Sequence, residues 1–197
     1  VADMGYYEEP AILSMCSTHL YATTSEDNFI LLGGASGRIW KFNGDMISGP
    51  VFTAAEGETT LPISTMIVHQ FAHESAPYVY AGTASFPRLY RADLINADSS
   101  NAWDSVANIG FLQGGVGDIT CSCSAYGLIF LGTNSGRILR YERTLINTTD
   151  SEEQETLDES HLQNEYIGEY ESNTLPISCL LSTQAQVLAG IGDRPEI

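Results

Sequence analysis

The chain has 197 residues, 43% of them hydrophobic, which is enough for a single domain with a sizeable core. Twenty-five acidic residues against eight basic ones give a formal net charge of −17; this argues against nucleic acid or an anionic membrane as a partner and would help attract a basic one. No uninterrupted apolar run approaches the roughly 20 residues of a membrane-spanning helix, so membrane insertion is not expected.

In chain order, a leading strand is expected over 4–9, around Met4-Gly5-Tyr6-Tyr7. A first unit, about 11–52, then carries four strand-like pieces: Leu13-Ser14-Met15-Cys16, the apolar run Phe29 to Gly33, Arg38 to Phe42 after the turn Ser36-Gly37, and Ile47 to Val51. A second unit, about 62–112, repeats the order with Ile63 to Met66, Tyr78 to Gly82, Arg88 to Ala92 and Ile109 to Leu112. Its hairpin turn departs from the pattern, because Ser85-Phe86-Pro87 replaces Ser-Gly with a bulky tip. The segment Asn96 to Asn108, with Asp98, Trp103 and Asp104, reads as a surface excursion.

A third unit, about 118–170, has Ile119 to Ser122, Leu128 to Gly132, Arg137 to Tyr141 and Ile167 to Tyr170. Between its third and fourth strands runs Asn147 to Glu165, rich in Asp and Glu and without a lysine or arginine, which reads as a solvated loop. A partial unit over 176–197 holds Ile177 to Leu180 and Val187 to Gly190, and Pro195 argues against a third strand there.

The run-ending glycines Gly33, Gly82, Gly132 and Gly190 stand 49, 50 and 58 positions apart. Four strands per unit at this period predict an all-β chain, a β-propeller of four-stranded blades with three complete blades and a split or partial fourth. The whole of 1–197 is read as one propeller region. Two closures remain open. The chain is a slice of a larger propeller, the favoured reading, or the leading strand completes the last blade and closes a four-bladed ring.

The segments 28–42 and 127–141, Asn-Phe-Ile-Leu-Leu-Gly-Gly-Ala-Ser-Gly-Arg-Ile-Trp-Lys-Phe and Gly-Leu-Ile-Phe-Leu-Gly-Thr-Asn-Ser-Gly-Arg-Ile-Leu-Arg-Tyr, resemble the second and third strands of WD-repeat propellers and related quinoprotein-like ones. The Trp-Asp dipeptide is absent; Phe42-Asn43, Ala92-Asp93 and Tyr141-Glu142 stand in its place, and the usual Gly-His pair is missing too. The family's His/Asp network therefore does not carry over. The resemblance implies an interaction platform more than an enzyme.

No catalytic motif competes with that implication. His69 and His73 have helical metal-pair spacing but lie at a strand end, and the cysteines Cys16, Cys121, Cys123 and Cys179 lack zinc spacing. Cysteines read as small apolar residues favour a reducing, intracellular and cytoplasmic setting, and Val1-Ala2-Asp3 does not open like a secretory signal. Met15, Cys121 and Cys179 are expected in the core between units, and Arg38, Arg88 and Arg137 at strand margins bonding neighbouring carboxylates or carbonyls.

The expectation is a non-catalytic scaffold for protein interaction or assembly, without cofactor or metal. Its partners would be other proteins, basic ones included, or the other subunits of a larger complex. The candidate surface comprises Ser85, Phe86, Pro87, Asp150, Glu152, Glu153 and Glu155. The competing reading is a propeller enzyme or small-ligand sensor with its site in an axial channel.

Overall fold

Each apolar run becomes the second strand of a sheet, and in the first three units it is flanked on both sides by strands of its own unit. β1 (Ile12–Ser17), β2 (Ile30–Gly34), β3 (Arg38–Phe42) and β4 (Ile47–Thr53) form one antiparallel sheet in that order. A short hairpin of β5 (Ala55–Glu56) and β6 (Thr59–Thr60) follows. The next sheet orders β7 (Ile63–His69), β8 (Tyr78–Thr83), β9 (Arg88–Asp93) and β10 (Asp104–Asn108). The third orders β11 (Ile119–Ala125), β12 (Leu128–Thr133), β13 (Arg137–Thr148) and β14 (Glu155–Ile167). β15 (Ile177–Ser182) pairs with β16 (Val187–Ile191). This computed structural model describes residues 9–18, 28–97, 99, 102–108, 117–148, 155–167, 175–183 and 186–192. The fold is all-β, with a 3-10 turn at Leu94–Asn96, and among the described residues no helix is long and apolar enough to cross a membrane.

The sequence repeat is also a repeat of fine geometry. All four first strands slip register at the same place: between Ile12 and Ser14, Ile63 and Thr65, Ile119 and Cys121, and Ile177 and Cys179. After the slip, Ser14, Thr65, Cys121 and Cys179 stand opposite Gly33, Gly82, Gly132 and Gly190. Each turn then bonds back to the residue before its first strand. Ala35, Ala84, Asn134 and Gly192 donate their amides to the carbonyls of Ala11, Pro62, Asp118 and Pro176 at 2.8–3.0 Å.

This register corrects one expected equivalence. Met15 matches Met66, Ser122 and Leu180, one place away from the Cys121–Cys179 position. Met15 is 69% exposed, Cys179 is exposed and Cys121 only half-buried, so the three do not form the core between units.

What does fill that core is a contact of isoleucine on glycine. β1 lies against β7, β7 against β11, and β11 against β15. Ile63, Ile119 and Ile177, all essentially fully buried, rest on Gly33, Gly82 and Gly132 of the preceding sheet. A Cβ on those glycines would come within 2.5, 3.1 and 2.7 Å of the isoleucine carbons. Only a residue without a side chain permits so close an approach. Hydroxyls bridge the same seams: Ser14 Oγ donates to the Ile63 carbonyl at 2.9 Å, Thr120 Oγ1 donates to the Ile177 carbonyl, and the Thr65 and Ser122 hydroxyls are hydrogen-bonded at 2.7 Å, either able to donate. Around the first seam gather Leu31, Ile39 and Val79; around the second, Tyr80, Leu131 and Tyr141. Full burial of each aliphatic side chain stabilises the fold by about 1.5–3 kcal/mol.

The outer strands depart from expectation. In the second sheet the fourth strand is β10, earlier than the expected Ile109 to Leu112, which lies outside the described residues. The preceding segment is not a surface excursion. Trp103 is 7% exposed, stacks on Phe52 with ring centroids 5.0 Å apart, and donates its Nε1–H to the Ala97 carbonyl at 3.0 Å. Burial of that indole, with its one polar atom satisfied, ties the connection down. In the third sheet the described part of the acidic segment, 147–148 and 155–165, is strand, and 149–154 lie outside the described residues. β13 and β14 pair along their length out to Thr148 opposite Glu155, so Glu155, Asp158, Glu159 and Glu165 lie on a strand. Of the expected last strand there, Ile167 closes β14 and 168–170 lie outside the described residues, as do 4–8 of the expected leading strand and 193–197. Glu9 is in no strand.

Candidate functional site

The tips of the β2–β3, β8–β9 and β12–β13 hairpins make an informative series. The chain turns at Gly37 with φ 78° and at Gly136 with φ 76°. In the second sheet the same left-handed conformation falls on Phe86 with φ 83°, and Ser85 before it has φ 56°. Glycine adopts this region without cost, but a bulky side chain there is strained by about 1–2 kcal/mol. Pro87 narrows the choice further by restricting the backbone of the residue before it. The Phe86 ring gains little burial in return, being 62% exposed.

The surrounding bonds hold the tip in place. Thr83 Oγ1 donates to the Phe86 carbonyl at 3.1 Å and accepts the Arg88 amide at 3.0 Å. The Ser85 amide donates to Asp118 Oδ1 at 2.8 Å. Asp118 also takes a bond from Asn134 Nδ2 at 3.2 Å, and its own amide donates to Asn134 Oδ1 at 2.9 Å. One aspartate thus links two neighbouring tips. Arg88 forms an ion pair with Glu56 of β5, the neighbouring carboxylate expected of a strand-margin arginine. The result is an exposed aromatic ring on a tethered turn with carboxylates beside it.

The first sheet solves the same turn differently, which sequence reasoning missed. Gly34 stands where the second and third units have Thr83 and Thr133, whose hydroxyls accept the amides of Arg88 and Arg137. A Cβ on Gly34 would collide with the carboxylate of Glu9. That carboxylate, 9% exposed, takes over as acceptor: from the Ser36 amide at 2.9 Å, from the Ser36 hydroxyl, and from Trp40 Nε1 at 3.2 Å. The available signal was the missing threonine in an otherwise faithful repeat.

Of the other expected surface residues, Glu155 opens β14, while Asp150, Glu152 and Glu153 lie outside the described residues. Ser85, Phe86 and Pro87 are therefore not brought together with the acidic group by anything the structure describes.

Buried groups elsewhere serve the seams. His69, 5% exposed, holds Ser124 Oγ to its Nδ1 at 2.7 Å and meets Phe71 edge-on at 4.3 Å. Burial pushes its pKa below the ordinary 6.5, with the Gly127 backbone working the other way. A histidine lowered in the folded state takes up protons more readily when unfolded. Its contribution to stability is complete above pH 6.5 and is lost as the pH falls through 6.5 towards the folded-state value. Urea melts taken on either side of pH 6.5 should show this decline in the wild type, and His69→Gln should flatten it.

Glu74 is likewise committed to structure, accepting the Phe71 amide at 2.8 Å, the Tyr80 hydroxyl at 3.3 Å and Arg91 Nη1 at 3.0 Å. Burial raises the thiol pKa of Cys16 to about 12 and of Cys123 to about 11, so both stay protonated near neutrality. Among the described residues no three His, Cys, Asp or Glu side chains gather as metal ligands. An open hollow of about 250 Å³, lined by Tyr78, Arg91, Asp93 and Asp104 among others, lies at the outer strands of the second sheet. It is smaller than the roughly 300–1,000 Å³ of ordinary ligand pockets. The chain matches no family model, and no curated protein matches it.

Proposed function

We propose that the chain is an arc of a divergent WD-like β-propeller and serves as a non-catalytic scaffold for protein interaction, with Phe86 as the anchor on one rim. The observation that carries this reading is the strained, exposed aromatic at a position that glycine occupies in the sibling hairpins. A left-handed turn could be made by glycine without penalty, so the phenylalanine is accounted for by what it contacts. Aromatic anchors of this kind dominate binding energy at protein interfaces. The excess of acid, with Glu56 and Asp118 beside the tip, supports a partner segment that is basic and apolar. The propeller reading is supported by four units with the same register slip and by first strands that pack in succession.

Selection of short random peptides against the immobilised chain tests the site. Recovered peptides should carry net positive charge and an apolar residue, and Phe86→Ala should weaken their binding by more than about tenfold. Peptides that bind Phe86→Ala as well as wild type would place the anchor elsewhere.

A further inference from the structure

The Phe86 tip is held from two sheets, and the hold from the neighbouring sheet ends on one carboxylate. Within its own sheet, Ala84 donates its amide to the Pro62 carbonyl at 3.0 Å and Thr83 Oγ1 donates to the Phe86 carbonyl at 3.1 Å. Neither bond reaches Ser85, an exposed residue in the left-handed region with φ 56°. Its amide instead crosses the seam to Asp118 Oδ1 at 2.8 Å. Asp118 is half-buried and is fixed to the third sheet through Asn134. The Asn134 amide donates to the Asp118 carbonyl at 3.0 Å, the Asp118 amide to Asn134 Oδ1 at 2.9 Å, and Asn134 Nδ2 to Asp118 Oδ2 at 3.2 Å. The fit is close, since Gly117 turns with φ 73° and a Cβ on it would strike Asn134 Oδ1. The first sheet uses a similar device: the Ser36 amide, at the place of Ser85, donates to the Glu9 carboxylate at 2.9 Å. There the turn falls on Gly37 and the carboxylate precedes β1 of the same unit. In the second sheet the carboxylate comes from the following unit, and the residue after the held serine is Phe86.

We infer that Asp118 is a positioning residue for the Phe86 site: anchored on the third sheet, it holds the strained turn in the conformation that presents the ring, without touching the partner itself. The inference rests on the reading of Phe86 as the anchor. Ser85 and Phe86 both occupy a region that side chains avoid, so a turn released from Asp118 would populate other conformations. A partner would then have to order the turn as it bound. A loop already fixed in its bound shape avoids that cost. Both carboxylate oxygens of Asp118 already accept a bond, one from each tip, so the site takes geometry from it more than charge.

Amide hydrogen exchange and binding of the selected basic peptides, both measured on the whole chain, test this. Asp118→Ala should speed exchange at the Ser85 amide and weaken peptide binding by about threefold to tenfold. Asp118→Asn keeps an oxygen for the Ser85 amide but loses the charge; it should retain slow exchange and bind within about twofold of wild type. Should Asp118→Ala fail to fold, Asn134→Ala takes its place, because it loosens Asp118 while leaving the charge, and it should weaken binding in the same direction. Asp118→Asn that binds as weakly as Asp118→Ala would show a contact made through charge and overturns the inference. Unchanged exchange and binding in Asp118→Ala overturn it too. Binding indifferent to Phe86→Ala overturns the rim reading and this role with it, whereas binding lost in Phe86→Ala but intact in Asp118→Ala overturns the positioning role alone.

Discussion

Gly132→Val is expected to destabilise the chain by about 3 kcal/mol, at the upper end of the cost of overfilling a packed core. The side chain would start 2.6 Å from Cys121 Sγ and 2.7 Å from Ile177 Cγ2. Cys121 could turn aside, but Ile177 is fully buried on a strand packed against β11. For a chain of this length the loss should lower the midpoint of thermal unfolding by roughly 10 °C. Shortening the partner with Ile177→Ala should return part of the loss, so the double variant should be more stable than the sum of the singles predicts. The same substitution at Gly190 supplies the control. Among the described residues its new Cβ would come closest to Cys179 and Ser178 of its own sheet, so the substitution should cost less than about 1 kcal/mol. Equal costs at Gly132 and Gly190 would mean that the glycines serve strand geometry alone rather than contact between sheets.

Glu9→Ala is expected to cost about 2–3 kcal/mol. It removes one acceptor from three donors, the Ser36 amide and hydroxyl and the Trp40 indole, the last of them buried away from water. Gly34→Thr alone should also destabilise, since the new Cβ collides with the Glu9 carboxylate. Together the two changes rebuild the arrangement of the other units, in which a threonine hydroxyl accepts from the strand that follows. The double variant should therefore recover at least about 1 kcal/mol relative to additivity. Chemical denaturation of the four proteins measures that coupling, and simple additivity would show that Glu9 and Thr83 are not interchangeable devices.

Much of the frame was legible because its code is local. Apolar runs ending in glycine and turns built on Ser-Gly placed β2, β3, β8, β9 and β12 to within a residue or so, and the all-β class followed. The outer strands were less legible because pairing, not composition, defines them. β14 is rich in Asp and Glu and lacks clean alternation, yet it is a strand because β13 offers it a full ladder of backbone partners. Asp104 to Asn108 is equally plain in sequence, and Trp103 read as exposed because its partners, Phe52 and Ala97, are remote or irregular in pattern.

The seam was half legible. Both the isoleucines and the glycines were seen to recur, but the pairing of one unit's glycine with the next unit's isoleucine is a long-range fact that no window of sequence contains. Met15 shares its register position with the buried Met66, and it lies at the surface because among the described residues no sheet covers the outer side of β1. The Phe86 tip was legible as a break in a repeat; its backbone strain was not, since a conformation cannot be read from the residue that violates its preference.

Phe86→Gly, with thermal unfolding and peptide binding measured on the same protein, bears most directly on the scaffold reading. Glycine relieves a strain of about 1–2 kcal/mol and forfeits about 0.5–1 kcal/mol to the freer unfolded chain, a net gain of up to about 1.5 kcal/mol. The account predicts a variant that melts a few degrees higher while binding selected basic peptides more than about tenfold more weakly. A variant that is less stable, or that binds as tightly as wild type, would contradict it.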